Sequence, residues 1–361
     1  MRHRWVFAAV ILATSLAAQS LRGDEAKEDE PKKPAKPAAE KPADDENPAS
    51  DLYTLPKGSD VKAIMKFVQE IQDFEPTSVE QARTHQRKGR LAIGDAARAI
   101  LKIEKDTKSE AYLFAKSYEL GSELRSLIAA SPEDRQAYCD QVTLLLQNPH
   151  AGGQQLMLAM KVAELLEDID RPLAIDAYKK FGAALAKSPD EKIAKNGKML
   201  AGAARRLDLP GNALKLTGNK FDGAKFDLAD LKGKVVLVDF WATWCGPCIA
   251  EIPNMKKMYK KYHDQGFEIV GLSIDEDRDA LQEFLEDRQL PWTILHDKEN
   301  EGQHPATVDY GVFGIPCMIL VGKDGKVIDI QARGERLEEL LEKQFAVEEP
   351  SPPAGKNGAD K

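Results

Sequence analysis

The segment Trp241-Ala242-Thr243-Trp244-Cys245-Gly246-Pro247-Cys248 carries two cysteines with two residues between them. A thiol pair at this spacing closes to a disulfide or opens to a dithiol, and the thiolate form attacks other disulfides. An apolar run, Val235-Val236-Leu237-Val238-Asp239-Phe240, comes directly before it, and an amphipathic stretch begins near Cys248. The pattern predicts a strand, a tight turn and a helix, with Cys245 at the helix N-terminus. Unpaired N–H groups and the helix dipole favour the thiolate there. Cys245 is therefore the expected attacking group, and Cys248 is near enough to resolve the mixed disulfide. Pro247 presets a first-turn dihedral and has no N–H to compete for the sulfur.

The same spacing also occurs as half of a zinc site, as a structural disulfide, or near a peroxidatic cysteine. No second CxxC and no Cys/His pair at ligand spacing accompanies it, and Cys139 and Cys317 are far away in sequence. A loop this short adds little chain-entropy stabilisation. No metal and no other cofactor is expected.

Val238-Asp239-Phe240-Trp241-Ala242 followed by Trp244-Cys245-Gly246-Pro247-Cys248 resembles the active-site segment of the thioredoxin superfamily. Glu251-Ile252-Pro253, Tyr310-Gly311-Val312-Phe313-Gly314-Ile315-Pro316 and a strand pair around Asp324-Gly325 are similar to its TlpA/ResA branch of secreted thiol–disulfide oxidoreductases. So is a hairpin read from Leu214-Lys215-Leu216 and Lys225-Phe226-Asp227-Leu228. The resemblance covers residues 210–346 and implies an α/β thioredoxin-like domain, a central mixed sheet flanked by helices. It implies that Pro316 is a cis-proline facing the CxxC, leaving the Ile315 backbone open to an extended client segment. It makes Asp239 a buried acid that handles the proton of Cys248, and Glu251 an acid near the disulfide. Asp239 pointing to solvent and Glu251 as a solvated helix carboxylate are the competing readings. Trp244 reads as an apolar platform beside the site or as simple packing. Cys317, after Pro316, fits an apolar strand position better than a third thiol. The charge run Asp275-Glu276-Asp277-Arg278-Asp279 reads as loop and helix-cap surface.

The elements around this segment set its context. Arg2, His3 and Arg4 precede an apolar run from Trp5 to Ala18 that is short for a bilayer span, and Ala18-Gln19-Ser20 offers small residues for cleavage. Residues 1–20 thus read as a secretory signal, which places the thiols where disulfides persist and leaves no integral span in the mature chain. Residues 21–50, with Pro31, Pro34, Pro37, Pro42 and Pro48, read as a disordered linker, and residues 347–361 as a disordered tail.

Residues 51–209 read as an all-α helical-hairpin domain of six or seven helices. Val61, Ile64, Met65, Val68 and Ile71 recur at helical spacing after Ser59-Asp60. Ser131-Pro132-Glu133-Asp134 and Ser188-Pro189-Asp190-Glu191 each read as a cap, a first-turn proline and acids. Breaks fall at Asn148-Pro149, Gly152-Gly153 and Arg171-Pro172. Cys139 shares a face with Val142 and Leu146 and reads as a small buried hydrophobe.

The formal charge of −8, from 51 basic and 59 acidic residues, argues against a nucleic-acid partner, for which a basic face would be expected. The whole chain reads as multidomain. It is expected to act on protein disulfides outside the cytoplasm, more as a reductant than an oxidant. Its partners would be client proteins with disulfides or thiols and an upstream membrane electron donor. The alternative is a helical scaffold in which the thioredoxin-like domain only presents a client.

Overall fold

A computed structural model describes residues 52–297 and 304–346. The expected signal segment 1–20, linker 21–50 and tail 347–361 lie outside the described residues. Helices α1 (Val61–Gln72), α2 (Val79–Ile103), α3 (Glu110–Glu123), α4 (Pro132–Leu146), α5 (Gly153–Ile169), α6 (Arg171–Leu185) and α7 (Glu191–Leu207) come first. Most start on a side-chain cap, in which an oxygen accepts an otherwise unpaired first-turn N–H. Asp60 takes Ala63 N at 2.8 Å, and Ser131 takes Asp134 N at 3.1 Å with Pro132 in the first turn. Asp170 is the single residue between α5 and α6; its N–H closes α5 on Leu166 O, while its carboxylate caps Leu173 N.

The start of α7 differs from the sequence reading. Asp190, rather than Ser188, is the cap, because its carboxylate accepts both Lys192 N (2.8 Å) and Ile193 N (3.1 Å). Ser188 and Pro189 therefore stay outside the helix, with Ser188 Oγ accepting Asp190 N at 3.2 Å.

Consecutive helices pack on one another, and α3 also meets α5 and α4 meets α6. The α6–α7 contact is backbone to backbone. A Cβ on Gly182 would lie 2.7 Å from Ala201 N, and one on Gly197 would lie 2.8 Å from the Leu185 carbonyl carbon.

After α7 come the strands β1 (Thr217–Asn219) and β2 (Lys225–Asp227), an antiparallel pair. The expected first strand, Leu214-Lys215-Leu216, is displaced towards the C-terminus. Leu214 and Leu216 are buried in the core instead, and the ladder extends back only through Leu228 N to Leu216 O at 2.9 Å. The main sheet follows as β3 (Val235–Trp241), α8 (Gly246–Tyr262), β4 (Phe267–Ser273), α9 (Arg278–Arg288), β5 (Thr293–Leu295), α10 (Pro305–Asp309), β6 (Cys317–Val321), β7 (Val327–Asp329) and α11 (Gly334–Phe345). Its order is β5-β4-β3-β6-β7, with β3 parallel to β4 and antiparallel to β6. This is the expected mixed sheet.

Every residue of β3 is buried. Val235, Leu237 and Trp241 join an apolar cluster with Ile252 and Met255 of α8 and Leu337 and Leu341 of α11. Val236, Val238 and Phe240 belong to a second cluster, which runs through Leu214, Leu216, Phe226, Leu228 and Ala306 into Ala203, Ala204 and Leu207 of α7 and on through α6, α5 and α4. One core thus continues across residue 209, and no apolar gap separates the helices from the sheet. A third cluster joins α1 and α2 to Ala111 and Ala115 of α3.

Cys139, fully buried in α4, has its thiol pushed up to about 12 by that burial, with Asp140 adding to it. It packs as an inert side chain.

The α6–α7 contact yields the first prediction. Gly197→Ala should cost about 2 kcal/mol or more, since Leu185 and Ala186 offer only backbone atoms to move aside. Urea unfolding of the variant should show a lower midpoint with an unchanged slope.

Candidate active site

The parallel register of β3 and β4 builds the site. Trp241 pairs with Ser273, so both chains leave the sheet at the same edge. Beyond it, Cys245 is the N-cap of α8, and its sulfur accepts Cys248 N at 3.2 Å. Cys245 and Cys248 are joined in a disulfide with their Cα atoms 5.3 Å apart. Both are buried, at 5% and 1% exposure, whereas the neighbouring Trp244 is 67% exposed. The indole of Trp244 is thus the exposed surface beside a buried disulfide. Pro247 lies in the first turn, and Pro253 falls inside the helix.

Asp239 is at the centre of the sheet, between Gly271 and Met318 of the neighbouring strands. It is 4% exposed, and its Oδ1 has no hydrogen-bond partner. Loss of hydration, reinforced by the charge of Glu251, pushes its carboxyl up to about 8. The solvent-facing reading of Asp239 is thereby set aside. Glu251, half-buried on α8, is also not free in water: its Oε2 accepts Gly334 N at 3.1 Å, tying α8 to the start of α11.

The Ile315–Pro316 bond is cis. Among the described residues, no backbone hydrogen bond involves Ile315 N–H or C=O. Phe313, just ahead, is 37% exposed. Cys317 pairs with Phe240 on β3, which puts it on the sheet face opposite the disulfide cluster. Burial pushes its thiol up to about 11, Arg206 opposes this, and Asp239 and Glu167 add to it. It packs as an apolar strand residue with the Val236–Phe240 side of the core.

Asp275 overturns its sequence reading as surface charge. It is 2% exposed and holds the loop that carries the cysteines. Its Oδ1 accepts Thr243 N at 3.0 Å and Thr243 Oγ1 at 2.6 Å, and its Oδ2 accepts Ser273 Oγ at 2.7 Å. His296 Nε2 bonds the Asp275 carbonyl at 2.9 Å. Arg278 donates to Phe221 O at 2.6 Å and lies over the Phe221 ring. A run of like and unlike charges reads as solvated, which hid this carboxylate. The available signal was register: Thr243 and Asp275 each lie two residues beyond a paired strand end. Asp277, in the same run, does behave as expected and caps α9. Among the described residues no group of His, Cys, Asp and Glu has the arrangement of a metal site.

The Redoxin family model matches residues 208–344, starting one residue past α7. The thiol-disulfide oxidoreductase ResA of Bacillus thuringiensis subsp. konkukian is 36% identical over 137 residues, which cover 38% of this chain and 76% of that protein. ResA of Bacillus anthracis is 42% identical over 121 residues, covering 34% of this chain and 67% of the relative. A crystallised thioredoxin domain of a thiol-disulfide oxidoreductase from Bacteroides vulgatus is 32% identical, with a TM-score of 0.35, over 37% of this chain and 96% of that one.

The buried acid yields a pH-dependent prediction. With its carboxyl raised, folded Asp239 keeps a proton that the unfolded chain releases above about pH 4. Its contribution to stability is therefore full below that pH and is lost as pH rises towards about 8. Asp239→Asn should flatten this loss, so the oxidised variant gains on the oxidised wild type by on the order of 3 to 4 kcal/mol between pH 5 and pH 8. Urea midpoints at the two pH values measure it, and parallel curves would overturn it.

Proposed function

Through residues 208–344 the chain belongs to the ResA-like thiol-disulfide oxidoreductases of the Redoxin family, and from that membership we propose that it reduces disulfides of client proteins outside the cytoplasm through Cys245 and Cys248. The observation that carries the proposal is the disulfide capping α8 on the sheet face that also buries Asp239, whose Oδ1 has no hydrogen-bond partner.

In the reducing direction, the Cys245 thiolate attacks a client disulfide, forming one mixed disulfide and releasing one client thiolate. Cys248 then gives up its proton to the ionised Asp239 carboxylate and attacks the Cys245 sulfur, and the second client sulfur leaves as a thiolate. Two electrons have passed to the client, and the enzyme ends as the Cys245–Cys248 disulfide. Asp239 takes the Cys248 proton; a carboxyl near 8 is well matched to that transfer at neutral pH. Glu251 helps to hold the carboxyl there through its charge. Trp244 and the open Ile315 backbone beside Pro316 receive the extended client segment.

The Gly246-Pro247 pair supports the reductant direction, because the residues between the cysteines tune how far the reduced thiolate is stabilised. The segment from Arg2 to Ser20 supports export, and a membrane electron donor must then restore the dithiol. The divisions near residues 50 and 346 belong to the same reading, and the one near 209 marks where the family resemblance begins rather than a break in the packing.

Two measurements test the proposal. Cys248→Ser should accumulate mixed disulfides with clients, and Cys245→Ser should accumulate none; an empty Cys248→Ser trap would favour a scaffold role for the helices. Glutathione equilibration of the full chain should give a potential near the roughly −270 mV of thioredoxins, and a value near about −120 mV would reverse the direction.

Asp239→Asn provides a kinetic check. Attack by Cys245 should change little, while release from the mixed disulfide slows by about 10-fold or more. Stopped-flow traces of both steps between pH 5 and 9 decide it, and equal release rates would remove Asp239 from the mechanism.

A further inference from the structure

α7 takes no part in the exchange chemistry, yet it meets the chain just ahead of the loop that carries Ile315 and Pro316. A Cβ on Gly202 would lie 2.6 Å from Gly311 N and closer still to Val308 O. One on Gly311 would lie 2.7 Å from Ala203 Cα. The two backbones touch with no room for a side chain on either, and Gly311 also has a left-handed φ of +56°.

Charge fixes the same contact. The C-terminal carbonyls of a helix lack partners within it. At the end of α10, Asp309 O accepts Arg205 Nε at 2.8 Å and Tyr310 O accepts Arg206 Nε at 3.2 Å. Tyr310 then bridges Lys215, with its hydroxyl accepting from the amide at 3.1 Å and donating to the carbonyl at 2.8 Å. Val312 N closes the turn on Thr307 O at 2.8 Å. Val312, Ile315 and Cys317 also pack against the apolar cluster that holds Ala203, Ala204 and Leu207 of α7.

We propose that α7 is a positioning element of the exchange site: Gly202, Arg205 and Arg206 hold the Val308–Gly311 turn, and thereby fix the Val312–Pro316 segment where an extended client chain pairs with Ile315. This rests on the exchange reading above. A loop held in advance loses less freedom when a client binds, so the effect falls on affinity for extended protein substrates. The sulfur chemistry at Cys245, on the other face of the sheet, is left as it is.

The test uses the full chain with insulin as the disulfide substrate and dithiothreitol as the electron source. Arg205→Ala/Arg206→Ala should raise KM for insulin by about 10-fold, the scale of one or two lost hydrogen bonds, with kcat within about 2-fold. Alkylation of reduced Cys245 by iodoacetamide should keep its rate. Amide hydrogen exchange at Tyr310–Val312, whose N–H groups are bonded within the turn, should quicken, and Arg205→Lys/Arg206→Lys should recover part of the affinity. Gly202→Ala should act in the same direction; if it fails to fold, the arginine pair decides alone.

An unchanged KM together with unchanged exchange would overturn the proposal. A joint fall in kcat, KM behaviour and alkylation would also overturn it, as general damage. A wild-type chain that does not reduce insulin would sink the oxidoreductase reading instead, and hydrogen exchange would still report whether α7 holds the loop.

Discussion

A strand buried at all of its positions needs apolar cover on both faces, and β3 imposes that demand on the rest of the molecule. α8 and α11 cover one face. The other is covered by a cluster that draws on the β1–β2 region, α10 and the helices that precede them. Asp239 loses its water because of this double cover, and the disulfide gains its place because β3 ends beside β4. The chemistry and the architecture thus share a single cause.

Much of this was legible in the residues themselves. The apolar run from Val235 to Phe240 read as a strand, and its side chains do alternate between the two clusters. Caps such as Asp60 and Ser131 are local: the oxygen and its N–H partner sit three residues apart, so the sequence displays both. Apolar stripes at helical spacing are local in the same sense.

What stayed hidden depends on partners distant in the chain. Asp275 is polar within a charged run, and only the strand register brings it to Thr243, 32 residues away. Glu251 looks like any helix carboxylate until Gly334, 83 residues on, is placed beside it. The first strand of the hairpin was misplaced because Leu214 and Leu216 fit a strand pattern, while the apolar core claims them more strongly. Asp190 displaced Ser188 as a cap through two competing local hydrogen bonds, a contest that residue types alone do not rank.

The Gly202–Gly311 contact bears on how the chain is divided into parts. The family match starts at residue 208, and α7 ends at Leu207, so ancestry suggests a cut between them. Folding does not recognise that seam. A fragment beginning there would keep both cysteines but lose Ala203, Ala204 and Leu207 from its core, and would turn an apolar face to water. The unit of inheritance in this protein is therefore smaller than its unit of stability, and grafting the redox module onto another chain means supplying a replacement for α7.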